Sequence, residues 1–126
     1  MATQSHPIIH GTIGLVGPCG AGKSTLQQKL KSYGYSVRHI AQEHSFVPDM
    51  WHRFTNPVLL IYLNASYETV MKRKHFDFSI QEYQQENQRL QHAREHADFI
   101  IETDTLTPDE VLQKVIDFFM SVSPPP

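Results

Sequence analysis

Eight consecutive residues, Gly17 Pro18 Cys19 Gly20 Ala21 Gly22 Lys23 Ser24, fit the pattern G-x-x-x-x-G-K-[ST], and the chemistry open to that pattern is the binding of a polyphosphate. Its glycines let the backbone curl until consecutive N–H groups converge on one anion, and the positive end of the helix that follows adds to the same field. Lys23 would reach the outer phosphates and the Ser24 hydroxyl would ligate a magnesium ion, so Gly17 to Thr25 is the expected cofactor-binding segment. A motif this short arises by chance as well. Its weight comes from context, because the apolar run Thr12 to Val16 before it reads as a strand and Ser24 to Tyr33 after it reads as a helix.

A second group of chemically able residues lies between Ala41 and Pro57, where the chain carries Gln42, Glu43, His44, Asp49, Trp51, His52 and Arg53. Glu43 admits two readings: an acid beside a bound phosphate that orients metal-bound water or accepts a hydroxyl proton, or a solvated loop carboxylate. Asp49 and Arg53, four residues apart, are either substrate contacts or a helix-surface pair of roughly 0.3–0.5 kcal/mol. Trp51 either packs at the edge of the core or stacks on a substrate ring. The His92 to His96 stretch fits the zinc-protease pattern H-x-x-E-H, but the helical wheel puts both histidines on the polar face, and too little chain remains to build a cleft. The remaining histidines show no paired metal spacing.

The elements that must hold these groups follow from periodicity. Ile13, Leu15 and Val16 make a buried strand, and Leu26 and Leu30 give the next helix an inward face that ends at Gly34. Ser36 to Ile40 suits an outer strand. Val58 to Leu63, unbroken and apolar, suits a strand covered on both faces. Ser66 can cap a helix ending in Lys72, Arg73 and Lys74, and Ser79 with Glu82 opens a long helix to about His96. On that helix Ile80, Tyr83, Leu90, Ala93 and Ala97 share one face with Asn87. Arg94 lies about 50° from this stripe and Arg89 about 90° on the other side, so the two cannot serve one small anion. Asp98 to Ile101 gives a last strand, and Thr107, Pro108 and Glu110 open a final helix with Val111, Val115, Phe118 and Phe119 inward.

Strands alternating with helices specify a small three-layer α/β sandwich with a mainly parallel sheet of four or five strands, whose ligands sit at the carboxyl ends of the strands. Residues 1–10 read as a flexible arm or a short extra strand at Ile8 and Ile9, residues 11–122 as one nucleotide-binding domain, and residues 123–126 as a disordered tail. The 126 residues, 40% hydrophobic and 19% charged, suffice for one core. A formal charge of −2 supplies no global basic field, so no nucleic-acid partner is expected. No apolar run approaches membrane-spanning length, and the single cysteine fits a reducing cytoplasm; no membrane partner is expected.

The segments GPCGAGKSTL, LLIYLNASYETVMKR and ADFIIETDTLTPDEVLQKV together resemble the P-loop nucleoside and nucleotide kinase superfamily, including its shikimate-kinase-like and deoxynucleoside-kinase-like members, over most of the chain. The resemblance implies the P-loop NTPase fold, ATP and Mg2+ as cofactors, and transfer of the γ-phosphoryl group to a hydroxyl or phosphate of a small-molecule acceptor. ATP is favoured over GTP because no N-K-x-D stretch follows a strand. It further implies lid arginines, for which Arg73, Arg89 and Arg94 stand in position, and a loop against the adenine at Glu102 to Thr105. Lys23, Glu43, Arg73 and Arg89 become the candidate catalytic set, and Glu43, Asp49, Trp51 and Arg53 the candidate substrate contacts, since QEHSFVPDMW is similar to the glutamate and tryptophan of deoxynucleoside kinases. The chain departs from the family twice. Only Ala41 to Pro57 stands where a further strand and helix are usual, and Asn64 stands where a Walker B aspartate would end LLIYL. These departures favour a rival of another class, a nucleotide-binding or hydrolysing switch that signals to a protein partner.

Overall fold

The computed structural model describes residues 6–74 and 77–123. Its sheet has four strands, β1 (Ile13–Val16), β2 (Val37–His39), β3 (Leu59–Asn64) and β4 (Phe99–Glu102), in the spatial order β2-β1-β3-β4 with every pairing parallel. Four helices connect or follow them: α1 (Lys23–Ser32), α2 (Tyr67–Lys74), α3 (Ile80–His96) and α4 (Pro108–Val122). The expected α/β sandwich is therefore present, with the lower of the two strand counts and no antiparallel member.

Two apolar clusters line the two faces of the sheet. Ile13, Leu15, Ile61 and Leu63 point to the side where Leu26 and Leu30 of α1 and Val115 and Phe119 of α4 pack. Val16, Leu60 and Tyr62 point to the other side, against Trp51 and against Leu90 and Ala93 of α3. Alternate residues of β3 feed alternate clusters, which is why its sequence shows no polar member until Asn64. Helix starts follow their caps: Ser79 accepts from the Glu82 N–H at 3.1 Å, and Thr107 with Glu110 closes a reciprocal capping box before Pro108.

Three expectations are corrected. Residues 6–10 form no strand; Ile9 packs on the core and the Tyr35 hydroxyl donates to the Pro7 carbonyl. On α3 the stripe holds for Tyr83, Leu90, Ala93 and Ala97, but Ile80 is 52% exposed and Glu86 is buried beside Leu90 and Ala93. Third, between Ala41 and Pro57, where the sequence reads as holding at most one short helix around Pro48 to Phe54, there are two turns, a 3-10 turn at Gln42–His44 and a π-helical turn at Trp51–Thr55, closed by Asn56 in a left-handed conformation. Fully buried Gln42 organises this stretch: its side-chain carbonyl accepts from Trp51 N–H at 2.9 Å and its amide donates to the Val47 carbonyl at 2.9 Å. Residues 1–5 of the expected arm and 124–126 of the expected tail lie outside the described residues.

At the sheet's edge the His39 N–H donates to the Gln27 side chain at 2.7 Å. No strand stands between β2 and β1, and that shortening has a direct effect on the site: whatever follows β2 is delivered beside the loop that follows β1.

Candidate functional site

The phosphate-type loop leaves β1 at Gly17, whose φ of +152° and whose approach to β3 both require glycine; a Cβ there would lie 2.1 Å from the Leu63 carbonyl oxygen. Gly22 is the N-cap of α1, in a left-handed conformation, and no side chain caps the helix. The opening amides of α1 thus keep the anion-attracting end that such loops present. Two amides of the loop are engaged: Ala21 N–H closes a turn on the Pro18 carbonyl at 3.1 Å, and Cys19 N–H donates to Glu86 Oε1 at 2.9 Å. Glu86 is 4% exposed, and burial pushes its carboxyl above the ordinary glutamate value.

Lys23 is folded inward. Its ammonium donates to Glu43 Oε2 at 2.8 Å, to the Pro18 carbonyl at 3.2 Å and to the Gly17 carbonyl. Both members of the pair are buried, and Glu43 Oε1 is a buried oxygen with no hydrogen-bond partner among the described residues. The solvated-loop reading of Glu43 is therefore excluded. Glu43 thus brings an acid to the loop from the turn that follows β2, whereas the end of β3, the Walker B position, carries Asn64. Asn64 at the end of β3 is spent elsewhere: its side chain donates to Glu102 Oε2 at 2.7 Å and its carbonyl accepts from Thr103. Ser24 Oγ lies 3.4 Å from His39 Nδ1, and the His39 imidazole is held below its ordinary pKa by burial and then by the charge of Lys23.

Lys23, Ser24, Glu43, Arg73 and Lys74 share one cavity of about 350 Å³ with Cys19, Gly20, Gly22 and Thr25. Gly22, Thr25 and Arg73 also line a neighbouring cavity of about 290 Å³, walled by Leu26, Leu106, Pro108 and Val111 and floored by Thr103. A polar chamber thus opens into an apolar one across a shared rim. Arg73 stands on that rim, donating to the Thr103 hydroxyl at 3.1 Å and carbonyl at 2.9 Å and to the Gly20 and Ala21 carbonyls at 3.3 and 3.4 Å.

The other sequence candidates are placed differently. Arg89 donates to the Glu43 carbonyl at 3.3 Å with its guanidinium 4.6 Å over Phe46, whereas Arg94 lies over the Tyr62 ring at 5.7 Å; the two serve different surfaces, as their helical angles require. Asp49 and Arg53 pair with each other at 2.9 Å, and neither lines the Lys23 cavity. Trp51 is buried and its indole N–H donates to His92 Nδ1 at 3.1 Å. This also corrects the polar-face placement of the histidines, since His92 stacks on His96 at 4.2 Å and both rings face Trp51. Glu86, Lys74, His39 and the apolar wall were not among the sequence candidates. Only the inward positions Leu26 and Val111 carried a signal, as helix core residues.

No protein-family model matches the sequence, and no curated protein matches it by sequence. Sixteen chains of solved structures resemble it in fold. One is a shikimate kinase from Acinetobacter baumannii in complex with shikimate, which superposes with a TM-score of 0.60 at 17% identity over 88% of this chain and 93% of that one. The chain has a P-loop kinase-like fold.

Proposed function

We propose that this protein is a small-molecule kinase that binds ATP with Mg2+ and moves the γ-phosphoryl group to a hydroxyl or phosphate acceptor. The observation that carries the reading is the pair of joined cavities, one lined by the loop, Lys23 and Ser24, the other apolar and deep enough to take a flat base. Leu26, Leu106, Pro108 and Val111 would sandwich the adenine, with Thr103 close to its edge. The opening amides of α1 would hold the phosphates.

Magnesium fits the donors present, because Ser24 and Glu43 line one cavity and offer hard oxygen donors, and the buried Oε1 of Glu43 has no hydrogen-bond partner among the described residues. Bound there, the ion would neutralise charge on the β- and γ-phosphate oxygens. In the structure Lys23 is committed to Glu43 and two carbonyls, so polyphosphate binding requires its ammonium to swing from the carboxylate to the phosphates. That exchange frees Glu43 as the acid that orients the acceptor. Arg73, already anchored beside the loop, would stabilise charge on the transferring group, and Arg89 would hold the backbone of Glu43 in place.

The test is a thermal-shift panel of nucleosides, nucleoside monophosphates and shikimate-like acids, run with a non-hydrolysable ATP analogue and Mg2+, followed by a phosphoryl-transfer assay with ATP. An acceptor that adds to the stabilisation by nucleotide and is phosphorylated supports the reading. Stabilisation by nucleotide alone, with no transfer to any member of the panel, overturns it.

A further inference from the structure

The mouth of the loop carries a second donor set of a different kind. Cys19 Sγ, a ring nitrogen of His44 and a carboxylate oxygen of Glu86 all lie within 4.8 Å of one another. They come from three separate segments: the loop after β1, the 3-10 turn after β2, and the interior of α3. We propose that Cys19, His44 and Glu86 form a three-ligand site for a zinc-class divalent cation, independent of whether nucleotide binds.

The donor chemistry separates this site from that of magnesium. A thiolate, an imidazole and a carboxylate are in turn soft, borderline and hard ligands, a set that suits zinc or cobalt in tetrahedral coordination with one open position, whereas magnesium takes oxygen atoms alone. Closing 4.8 Å to the spacing of ligands around one small ion needs only side-chain movement, since His44 is exposed and Cys19 half-buried. Glu86 is already oriented: one of its oxygens accepts from the Cys19 N–H, which stands as the outer donor that holds a ligating carboxylate in place. The Glu86 carboxylate is buried, and among the described residues its hydrogen-bond donor is the backbone N–H of Cys19, an arrangement that a cation would compensate. His44 Nε2 also lies 3.9 Å from Glu43 Oε2, a contact that steadies the ring.

The Lys74 ammonium donates to Cys19 Sγ and occupies the place of a competing cation. Metal binding therefore displaces Lys74 from the sulfur, and the thiol proton leaves to solvent as the metal–sulfur bond forms. The bound ion would tie α3 to the loop and stand at the edge of the phosphate cavity.

Titration of the full chain with Co2+, in the absence of nucleotide, tests this directly. One cobalt per chain should bind with a thiolate-to-metal charge-transfer band and the visible bands of four-coordination, and Zn2+ should bleach both. Cys19→Ser should abolish the charge-transfer band, while His44→Ala and Glu86→Gln should each weaken Zn2+ binding by about tenfold or more. Lys74→Met should tighten it. Far-UV circular dichroism confirms that each variant is folded, and exposed His44 is the substitution least able to disturb the core. A missing charge-transfer band in the wild-type chain, or Zn2+ affinity that survives Cys19→Ser and is instead lost in a His92→Ala, His96→Ala double variant, would overturn the assignment. Because none of these readouts involves ATP, the site and the kinase reading can fail separately.

Discussion

Lys23 and Glu43, twenty residues apart in the chain, meet at 2.8 Å in the interior with 4% and 3% of their side chains exposed. Removing one member leaves the other charged and unpaired, which costs about 3–5 kcal/mol for a buried pair. Lys23→Met should lower the unfolding free energy measured in urea by an amount in that range and abolish any stabilisation by ATP analogue. The double variant Lys23→Met, Glu43→Gln should recover most of the loss in stability and none of the nucleotide effect. A double variant destabilised by the sum of the two single losses would mean that the pair carries no coupling.

Gly17→Ala tests how tightly the loop is seated on β3. The added methyl meets the Leu63 carbonyl oxygen at 2.1 Å in a backbone conformation that side chains rarely adopt, so a loss of more than about 3 kcal/mol is expected by chemical denaturation. Gly34→Ala is the control. It shares a positive φ but meets nothing within 4 Å, and should cost only about 1 kcal/mol.

His92→Ala should loosen the segment that carries Glu43. The substitution removes the acceptor of the Trp51 indole N–H, and a half-buried donor left without a partner costs about 1–3 kcal/mol. Trp51 is the single tryptophan of the chain, so its emission reports this contact without labelling. A red-shifted spectrum is expected, and an unchanged one would show that the indole keeps its environment without the imidazole.

Asp104 should impose a pH dependence on the acid side. The Ser66 N–H donates to its carboxylate at 2.9 Å and holds it below the usual aspartate value. A depressed acid stabilises the fold above its unfolded-state pKa and loses that contribution as pH falls through the folded-state value. Asp104→Asn should flatten this part of the stability–pH curve by lowering stability near neutrality while leaving the acid end nearly unchanged, as measured by melting temperature from pH 7 down to the onset of acid unfolding.

The loop and the buried strand β3 were legible because local rules govern them: a spacing that phosphate chemistry demands, and an apolar run that only a doubly covered strand tolerates. The role of Glu43 was legible only in part, since its burial depends on β2 lying directly against β1, a consequence of a missing strand that no local pattern announces. Glu86 was hidden altogether. Beside Asn87 on a polar helix it reads as one more solvated acid, and only the amide of a residue 67 positions away gives it a reason to be inside. The cation-type cluster was invisible for a related reason, because its three donors come from three segments and show no spacing at all.

A sheet thinned by one strand exposes a different rim to neighbouring molecules. Here the rim is β2, three residues long, with Arg38 at its centre and the outward amide of His39 already covered by the Gln27 side chain. So brief and charged a border gives a second chain almost nothing to zip onto at this edge of the sheet.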